Sequence, residues 1–398
     1  MAEVSSGVPS EVPSEVPVGV RRTERAMADG RPIYYFDDTE PYLSGAATRE
    51  AVDTRDLPAV ATTSTMRWDV LTGEWVAHAA HRQDRTFMPP ADLCPLCPAR
   101  PGKEPGEVPE TDFDVVVFAN RFPSYAGAGT PLAAEPAAGR GLVDGEALWP
   151  VRPAVGRCEV VCFTADHSAT FASLPVSRVR TVVEAWADRT AELSSLAGVR
   201  EGGEVFVFEN RGKEIGVTLQ HPHGQIYAYP APTPRTSQLL VQARRHREAH
   251  GTSLLADVLA AEQRAGTRVV LAGEHWTAYV PAAARWPVEF HLAPHRDVPD
   301  LAALSTDERD ELAVVYSEML GRLDRYFDGV DALPYISGWH QAPLGADREL
   351  GRLHLQAFSV LRQPGKLKYL AGSESGVGAW INDTTPERIA DRLREVAS

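Results

Sequence analysis

The first half of the chain contains a unit that the second half repeats, and this duplication strongly limits the folds available. The unit begins with an apolar strand, Cys158–Phe163, which precedes His167. An amphipathic helix follows, because apolar residues recur at helical spacing between Val176 and Leu193. A strand at His221 closes the unit, 54 residues after His167.

The second half follows the same order of elements. Val288–His295 is an apolar run that ends in a histidine, and Thr306–Phe327 is an amphipathic helix. Leu353–Phe358 is a strand that contains His354, 59 residues after His295. The repeat predicts two domains of one fold.

The segments before the repeat have a different composition. Residues 1–30 carry a Pro/Ser/Glu repeat with few large apolar side chains, and we predict a disordered tail there. Aromatic and turn residues alternate in 31–65, which we interpret as an arm that packs on the body. We therefore predict a first domain at 66–237, ending in a linker, and a second at 238–398, opening with a polar helix to about residue 264.

Two histidines and a glutamine are spaced by two residues in the first copy. In an extended backbone, His221, His223 and Gln225 would lie on one side of the strand. Two imidazoles and an amide are the groups needed to hold a metal ion and attack phosphorus; the alternative is a strand end with two surface histidines. In the second copy the pair becomes His354 and Gln356, so one half would keep the chemistry and the other the scaffold, helping to build the substrate pocket.

Cys94 and Cys97 form a C-x2-C knuckle in a proline-rich loop. This spacing is typical of a tetrahedral zinc site, and the alternative is a redox pair, although no thioredoxin-like pattern surrounds it. The other two cysteines lie in the apolar strand 158–163 and are interpreted as buried. His167 and His221, near strand ends, are the best candidates to complete a Cys2His2 set.

The charge balance limits the classes of partner. A net charge of −14 argues against general affinity for nucleic acid or acidic membranes. Four cysteines in 398 residues, with no signal peptide or membrane-spanning run, favour a cytoplasmic protein. An acidic protein that handles phosphates must concentrate cations locally. Arg82 and Arg85 could form bidentate hydrogen bonds to phosphate oxygens, or could belong to a solvated loop.

Taken together, these motifs resemble the galactose-1-phosphate uridylyltransferase family, from about residue 66 to the C-terminus. The matching motifs are Cys94-x2-Cys97, Asn120, Asp166-His167-Ser168, Phe208-Glu209-Asn210, His221-Pro222-His223-Gly224-Gln225 and Gly338-Trp339-His340-Gln341-Ala342-Pro343. The resemblance implies an α+β fold of tandem histidine-triad-like domains, each an antiparallel sheet with packed helices, in a homodimer. It also implies a double displacement in which UDP-glucose and galactose 1-phosphate give glucose 1-phosphate and UDP-galactose.

The resemblance further implies roles for individual residues. His223 would be the nucleophile, and Gln225 would hydrogen-bond the uridylyl phosphate. The implied zinc ligands are Cys94, Cys97, His167 and His221. The implied substrate contacts are Arg82, Arg85, Asn120, Arg121, Asn210, Gly216 and Thr218, together with Lys368 and Glu374, which one subunit would contribute to the sugar site of its partner.

The sequence departs from the family at a second metal site that some members carry. Leu239 and Gln356 stand at two ligand positions, leaving His340 and His354, so we expect that site to be absent. Two alternative functions remain. One is a related nucleotidyltransferase such as an ADP-sugar phosphorylase, and the other is a non-catalytic, zinc-stabilised nucleotide-binding protein.

Overall fold

Helices and antiparallel strands both contribute to the fold. The computed structural model describes residues 19–60, 64–84, 89–127 and 141–397. The strands are β1 (Arg21–Ala26), β2 (Pro32–Asp37), β3 (Thr65–Asp69), β4 (Glu74–His78), β5 (Val115–Ala119), β6 (Val151–Pro153), β7 (Arg157–Cys162), β8 (Glu204–Arg211), β9 (His223–Tyr229), β10 (Val269–Ala272), β11 (Trp276–Tyr279), β12 (Val288–Pro294), β13 (Tyr335–His340), β14 (His354–Ser359), β15 (Leu361–Gln363) and β16 (Lys366–Leu367). The helices are α1 (Val176–Ser194), α2 (Pro234–His250), α3 (Leu254–Ala265), α4 (Thr306–Asp324) and α5 (Pro386–Glu395).

One 11-stranded antiparallel sheet runs through both halves of the chain, in the order β1-β2-β5-β7-β9-β8-β13-β14-β12-β11-β10. The order β5-β7-β9-β8 in the first half reappears, reversed, as β13-β14-β12-β11 in the second. Strands β8 and β13 join the halves, with Asn210 opposite Ile336. The predicted α+β class is therefore confirmed, and the duplicated order of elements corresponds to two similar halves of one sheet.

The two faces of the sheet have different coverings. Helices α1 and α4 pack against each other on one face, over a core that includes Val117, Val161 and Ile226. The neighbouring residues along the strands, such as Phe118 and Val160, belong to a second core on the other face, together with Cys94. Successive side chains of a strand point to opposite faces, so strands buried on both faces require nearly continuous apolar runs.

Most elements predicted from periodicity are present. Strands β3 and β4 form a hairpin around Thr72-Gly73, with Trp68 opposite Trp75. The helix predicted from Thr306 corresponds to α4, whose N-terminus has a capping box formed by Ser305 and Glu308.

The polar helix predicted at 238–264 is instead two helices, so that prediction was wrong. Gly251, at φ +74°, ends α2, and Ser253 caps the start of α3 by accepting a hydrogen bond from Ala256 N. The first of these helices begins at Pro234 after Thr233, so the predicted domain boundary at 237/238 lies inside its first turn.

The prediction of a disordered tail at residues 1–30 was wrong for the part that forms a strand. Residues 1–18 lie outside the described part of the chain, but Arg21–Ala26 form β1, which pairs with β2 at the edge of the sheet. The arm supplies β2 itself, and Arg49 donates to the buried Asp37 at 2.6 Å. An edge strand with charged residues on its open face resembles a tail in composition, although its hydrogen-bond partner β2 follows directly in the sequence.

Candidate active site and metal centre

The imidazole of His223 is held in one tautomer by the backbone. This residue begins β9, opposite Cys162 of β7. Its Nδ1 lies 2.7 Å from the carbonyl oxygen of His221. A carbonyl can only accept, so Nδ1 carries the proton and Nε2 keeps its lone pair. Burial lowers the pKa of His223, which favours the neutral imidazole.

Gln225 lies next to His223 on the same face of β9. Its Oε1 accepts a hydrogen bond from the Tyr227 hydroxyl at 3.2 Å, which leaves the amide N–H groups for a ligand. Gly224 between them allows the strand to pack closely, because a Cβ there would lie 2.9 Å from both Phe163 Cζ and Phe208 O. The sequence His-Gly-Gln thus places an imidazole and an amide side by side.

Four side chains from three separate segments meet beside this strand. The donor atoms of Cys94, Cys97, His167 and His221 all lie within 4.8 Å of one another. Cys97 Sγ is 3.3 Å from His167 Nδ1 and 3.5 Å from His221 Nδ1. His221 Nε2 donates to the carbonyl of Thr164 at 2.8 Å, which leaves Nδ1 free to bind a metal ion.

The donor set fits a divalent metal ion of intermediate softness. Two sulfurs and two imidazole nitrogens provide four ligands, the number that a closed tetrahedral site requires. Burial, followed by the neighbouring Cys94, raises the pKa of Cys97 to about 11 without a metal, and a bound cation would reverse this effect. His221, which precedes β9 rather than lying within it, would be fixed by the ion through its side chain while its carbonyl holds His223.

A cavity of about 660 Å³ lies on the face of the sheet opposite α1 and α4. Six of the residues predicted from the sequence line it, namely Arg82, Asn120, Arg121, Thr218, His223 and Gln225. Hydrogen bonds fix the loop after β5: Asn120 Oδ1 accepts from Phe122 N, and Arg82 Nη1 donates to Phe122 O, both at 2.8 Å. The volume is in the usual range for a small-molecule site.

Other predicted residues lie elsewhere. Asn210 lines a smaller cavity of about 190 Å³ that His223 also borders. Gly216 adopts the left-handed conformation, φ +84°, at the end of a one-turn helix in the loop between β8 and β9. Arg85 lies outside the described residues.

Lys368 and Glu374 do not border the 660 Å³ cavity of their own chain. They pair with each other at 3.1 Å, and both side chains are 6% exposed. The described lining of that cavity comes from residues 55–225. The expectation that the second half helps to build the substrate pocket therefore stays a prediction about the second half of a partner subunit.

The arm supplies a wall of the cavity that no sequence pattern indicated. Arg55, Asp56 and Leu57 line it. The guanidinium of Arg55 is fixed by Asp53 at 2.8 Å and by Glu107 at 3.0 Å. An Asp-x-Arg pair is too common a pattern to have indicated this position, which depends on a contact across more than 50 residues.

Comparisons with known proteins match the whole body of the chain. Residues 52–232 match the family model for the N-terminal domain of galactose-1-phosphate uridyl transferase, and residues 240–398 match the model for its C-terminal domain. The galactose-1-phosphate uridylyltransferase of Streptomyces lividans is 45% identical over 395 residues, which cover 95% of this chain and 98% of that protein.

Solved structures agree with this result. A uridylyltransferase structure superposes with a TM-score of 0.70 at 33% identity, covering 83% of this chain and 98% of that one. An ADP-glucose phosphorylase from Arabidopsis thaliana, at 19% identity and a TM-score of 0.58, shares the fold and covers 84% of this chain and 99% of that one. The chain belongs to the galactose-1-phosphate uridylyltransferase family.

Proposed function

We propose that the protein transfers a uridylyl group from UDP-glucose to galactose 1-phosphate, giving glucose 1-phosphate and UDP-galactose in galactose metabolism. The observation that carries the proposal is the tautomer of His223. Its Nδ1–H donates to the His221 carbonyl, so Nε2 has a free lone pair in a cavity lined by three arginines and two amides. Membership of the family supplies the identity of the substrates.

The first half-reaction needs no general base. A neutral imidazole has no proton on its attacking nitrogen, so Nε2 of His223 forms a bond to the α-phosphorus of UDP-glucose directly. The bond from that phosphorus to the bridging oxygen breaks, and glucose 1-phosphate leaves with the electron pair. The imidazole is then a cation, which the hydrogen bond from Nδ1–H to the His221 carbonyl stabilises.

The second half-reaction reverses the first with another acceptor. A phosphate oxygen of galactose 1-phosphate attacks the uridylyl phosphorus, the bond to Nε2 breaks, and His223 returns to its neutral form. Because the bonds broken and formed are alike, positioning and neutralisation of charge must supply most of the rate. Arg82 and Arg121 would neutralise phosphate charge, and the amide of Gln225 would donate to a phosphoryl oxygen.

Residues of the smaller cavity and of the neighbouring loop complete this assignment. Asn210, which borders that cavity with His223, would contact the nucleotide, and Gly216 and Thr218 would lie against the phosphates. Arg85 would add a further phosphate contact.

Zinc is the metal that we propose for Cys94, Cys97, His167 and His221. When bound, it would stabilise the loop of Cys94 and the segment of His221, a structural role with all four positions filled. We expect no second transition metal on His340 and His354. Metal analysis of protein purified without added metal should give one zinc per chain, and full occupancy of those two histidines by iron or zinc would contradict this expectation.

We further propose that the protein is a cytoplasmic homodimer, with Lys368 and Glu374 contributing to the sugar site of the partner subunit. None of the helices that the structure describes is both long enough and apolar enough to cross a membrane.

An ADP-sugar phosphorylase is the second candidate, because such an enzyme shares the fold. The identity to uridylyltransferases, 45% against 19% for the plant phosphorylase, favours uridylyl transfer. A non-catalytic nucleotide-binding role is disfavoured because His223 and Gln225 are both present.

The test is to incubate the protein with UDP-glucose alone and then to add galactose 1-phosphate. We expect release of one glucose 1-phosphate per active site and an acid-labile, base-stable uridylyl label on His223, which galactose 1-phosphate then removes as UDP-galactose. His223→Gly should lose the label while keeping the metal. A label on another residue, faster reaction with ADP-glucose, or kinetics that require both substrates bound together would each contradict the proposal.

A further inference from the structure

The second half of the chain has a cavity of its own, of about 510 Å³, on the same face of the sheet as the catalytic cavity. His291 of β12 lies opposite Gln356 of β14, just as Cys162 of β7 lies opposite His223 of β9. Helices α2 and α3 cover this cavity, and Leu239 belongs to its lining. The duplication has therefore preserved a binding cavity at the position that corresponds to the active site.

Two guanidinium groups line this cavity without a carboxylate partner. Within the described ranges, no ion pair or side-chain hydrogen bond joins Arg235 or Arg285 to an acidic residue. Desolvation, followed by the charge of Arg285, lowers the pKa of Arg235, so the two cations are close enough to repel each other. Arg285 otherwise lies 5.4 Å from the centre of the Trp380 ring.

The acidic groups nearby are already occupied. Glu262, which lines the cavity, pairs with Arg268 at 2.8 Å. Glu289 accepts hydrogen bonds from the backbone of Arg285 at 2.6 Å and from His291 Nε2 at 3.2 Å. The charge of Glu289 opposes the effect of Arg285 on the pKa of Arg235, but among the described residues no carboxylate pairs directly with either guanidinium. In a chain with a net charge of −14, a cavity wall with two guanidiniums that lack a direct ion pair is a local concentration of positive charge.

Among the histidines that line this cavity, His340 offers a hydrogen-bond donor to a ligand. Among the contacts of the described residues, the His340 ring has no hydrogen bond; it stacks on His354 at 5.1 Å between centroids. His354 is fully engaged, since Nδ1 donates to Arg352 O at 2.9 Å and Nε2 accepts from Gln356 at 3.2 Å. His340 can therefore donate an N–H group to a ligand beside the two arginines.

These groups match an oxyanion better than a cation. The one set of three or more His, Cys, Asp or Glu residues with converging donor atoms, in the part of the chain that is described, is the Cys2His2 cluster of the first half. A guanidinium group forms paired hydrogen bonds to the oxygens of a phosphate group. The volume of the cavity that the phosphate leaves open would accept a hexose.

We propose that this cavity binds a phosphate monoester the size of a sugar phosphate, separately from the active site. The site is non-catalytic, because the amide nitrogen of Gln356, at the position of the nucleophile, has no lone pair available for attack. Binding would connect Arg235 of α2 to Arg285 in the loop between β11 and β12, and so stabilise the second half of the folded chain.

Calorimetric titration of the full-length protein with glucose 6-phosphate, and in parallel with inorganic phosphate, tests the proposal. We expect saturable binding that the double variant Arg235→Gln/Arg285→Gln weakens by about tenfold or more, the loss expected for charge-assisted hydrogen bonds. Uridylyl transfer by the double variant should stay close to that of the wild type. Arg82→Gln is the matched control: it removes a cation from the catalytic cavity and should leave this binding intact.

The two ligands distinguish the possible occupants. Tighter binding of glucose 6-phosphate indicates a sugar phosphate, whereas equal binding indicates that the phosphate group alone is recognised. Circular dichroism should show the double variant folded, because neither guanidinium has a carboxylate partner to lose. Binding that survives the double substitution, or that Arg82→Gln abolishes, would overturn the proposal, and so would the absence of any binding to the wild type. Because the assay does not use turnover, its outcome is independent of the proposed uridylyl transfer.

Discussion

The amide of Gln225 gives a test at the scale of one residue. We expect Gln225→Ala to lower the rates of both half-reactions by about 10²–10³, the effect of removing one donor to a developing oxyanion. The label on His223 should still form, since the nucleophile is unchanged. Rapid-quench measurement of each half-reaction checks this.

Tyr227→Phe is the matched control for that test. It removes the hydroxyl that donates to Gln225 Oε1 but keeps the amide, so its effect should be much smaller. If Gln225→Ala left both rates unchanged, the amide would have no role in catalysis.

Glu209 makes stability depend on pH. Burial raises its pKa to about 7 from 4.5, against the opposing hydrogen bond from Tyr335. Between these values the unfolded chain has released the proton and the folded chain has kept it, so stability falls as pH rises from about 4.5 to 7. Glu209→Gln removes this dependence, and the free energy of unfolding of the variant relative to the wild type should rise by up to about 3 kcal/mol across that window.

Urea unfolding of both proteins at pH 5 and pH 8 measures that change. The expected change comes on top of any offset that is the same at both pH values, because the buried amide has other costs that do not depend on pH. A difference that stays the same at both pH values would show that the carboxyl is ionised normally in the folded protein.

At the scale of elements, the metal centre connects the loop of Cys94 to the segment before β9. Metal binding and folding are coupled, so Cys97→Ser should lose the metal and lower the melting temperature together. Metal analysis and thermal unfolding of one preparation check both effects. Cys158→Ala, at a buried cysteine outside the cluster, should keep the metal. A Cys97→Ser protein that retained full metal content would exclude this ligand set.

At the scale of the whole molecule, the proposed exchange of residues between subunits can be tested by mixing inactive proteins. His223→Gly supplies an intact Lys368, and Lys368→Ala supplies an intact His223, so a mixed dimer would contain one complete site. We expect reassociation of the two variants to restore part of the activity that neither has alone. If the mixture stayed inactive while heterodimers were shown to form, Lys368 would act within its own subunit or not at all.

The sequence by itself determined the elements whose signal is local. Strands buried on both faces, such as β5, and helices with one apolar face, such as α1, have periodicities that short stretches of chain reveal. The spacing of His221, His223 and Gln225 likewise predicted a row of functional groups, and the duplication predicted two similar halves.

The tertiary structure alone decided the features that depend on distant partners. Arg55 reaches the catalytic cavity because the distant Glu107, together with Asp53, holds its guanidinium there. The pairing of β8 with β13, which makes one sheet of two halves, joins residues more than 100 positions apart. Such contacts are stabilised by burial and hydrogen bonds that form only after the chain has closed on itself, so no local pattern records them.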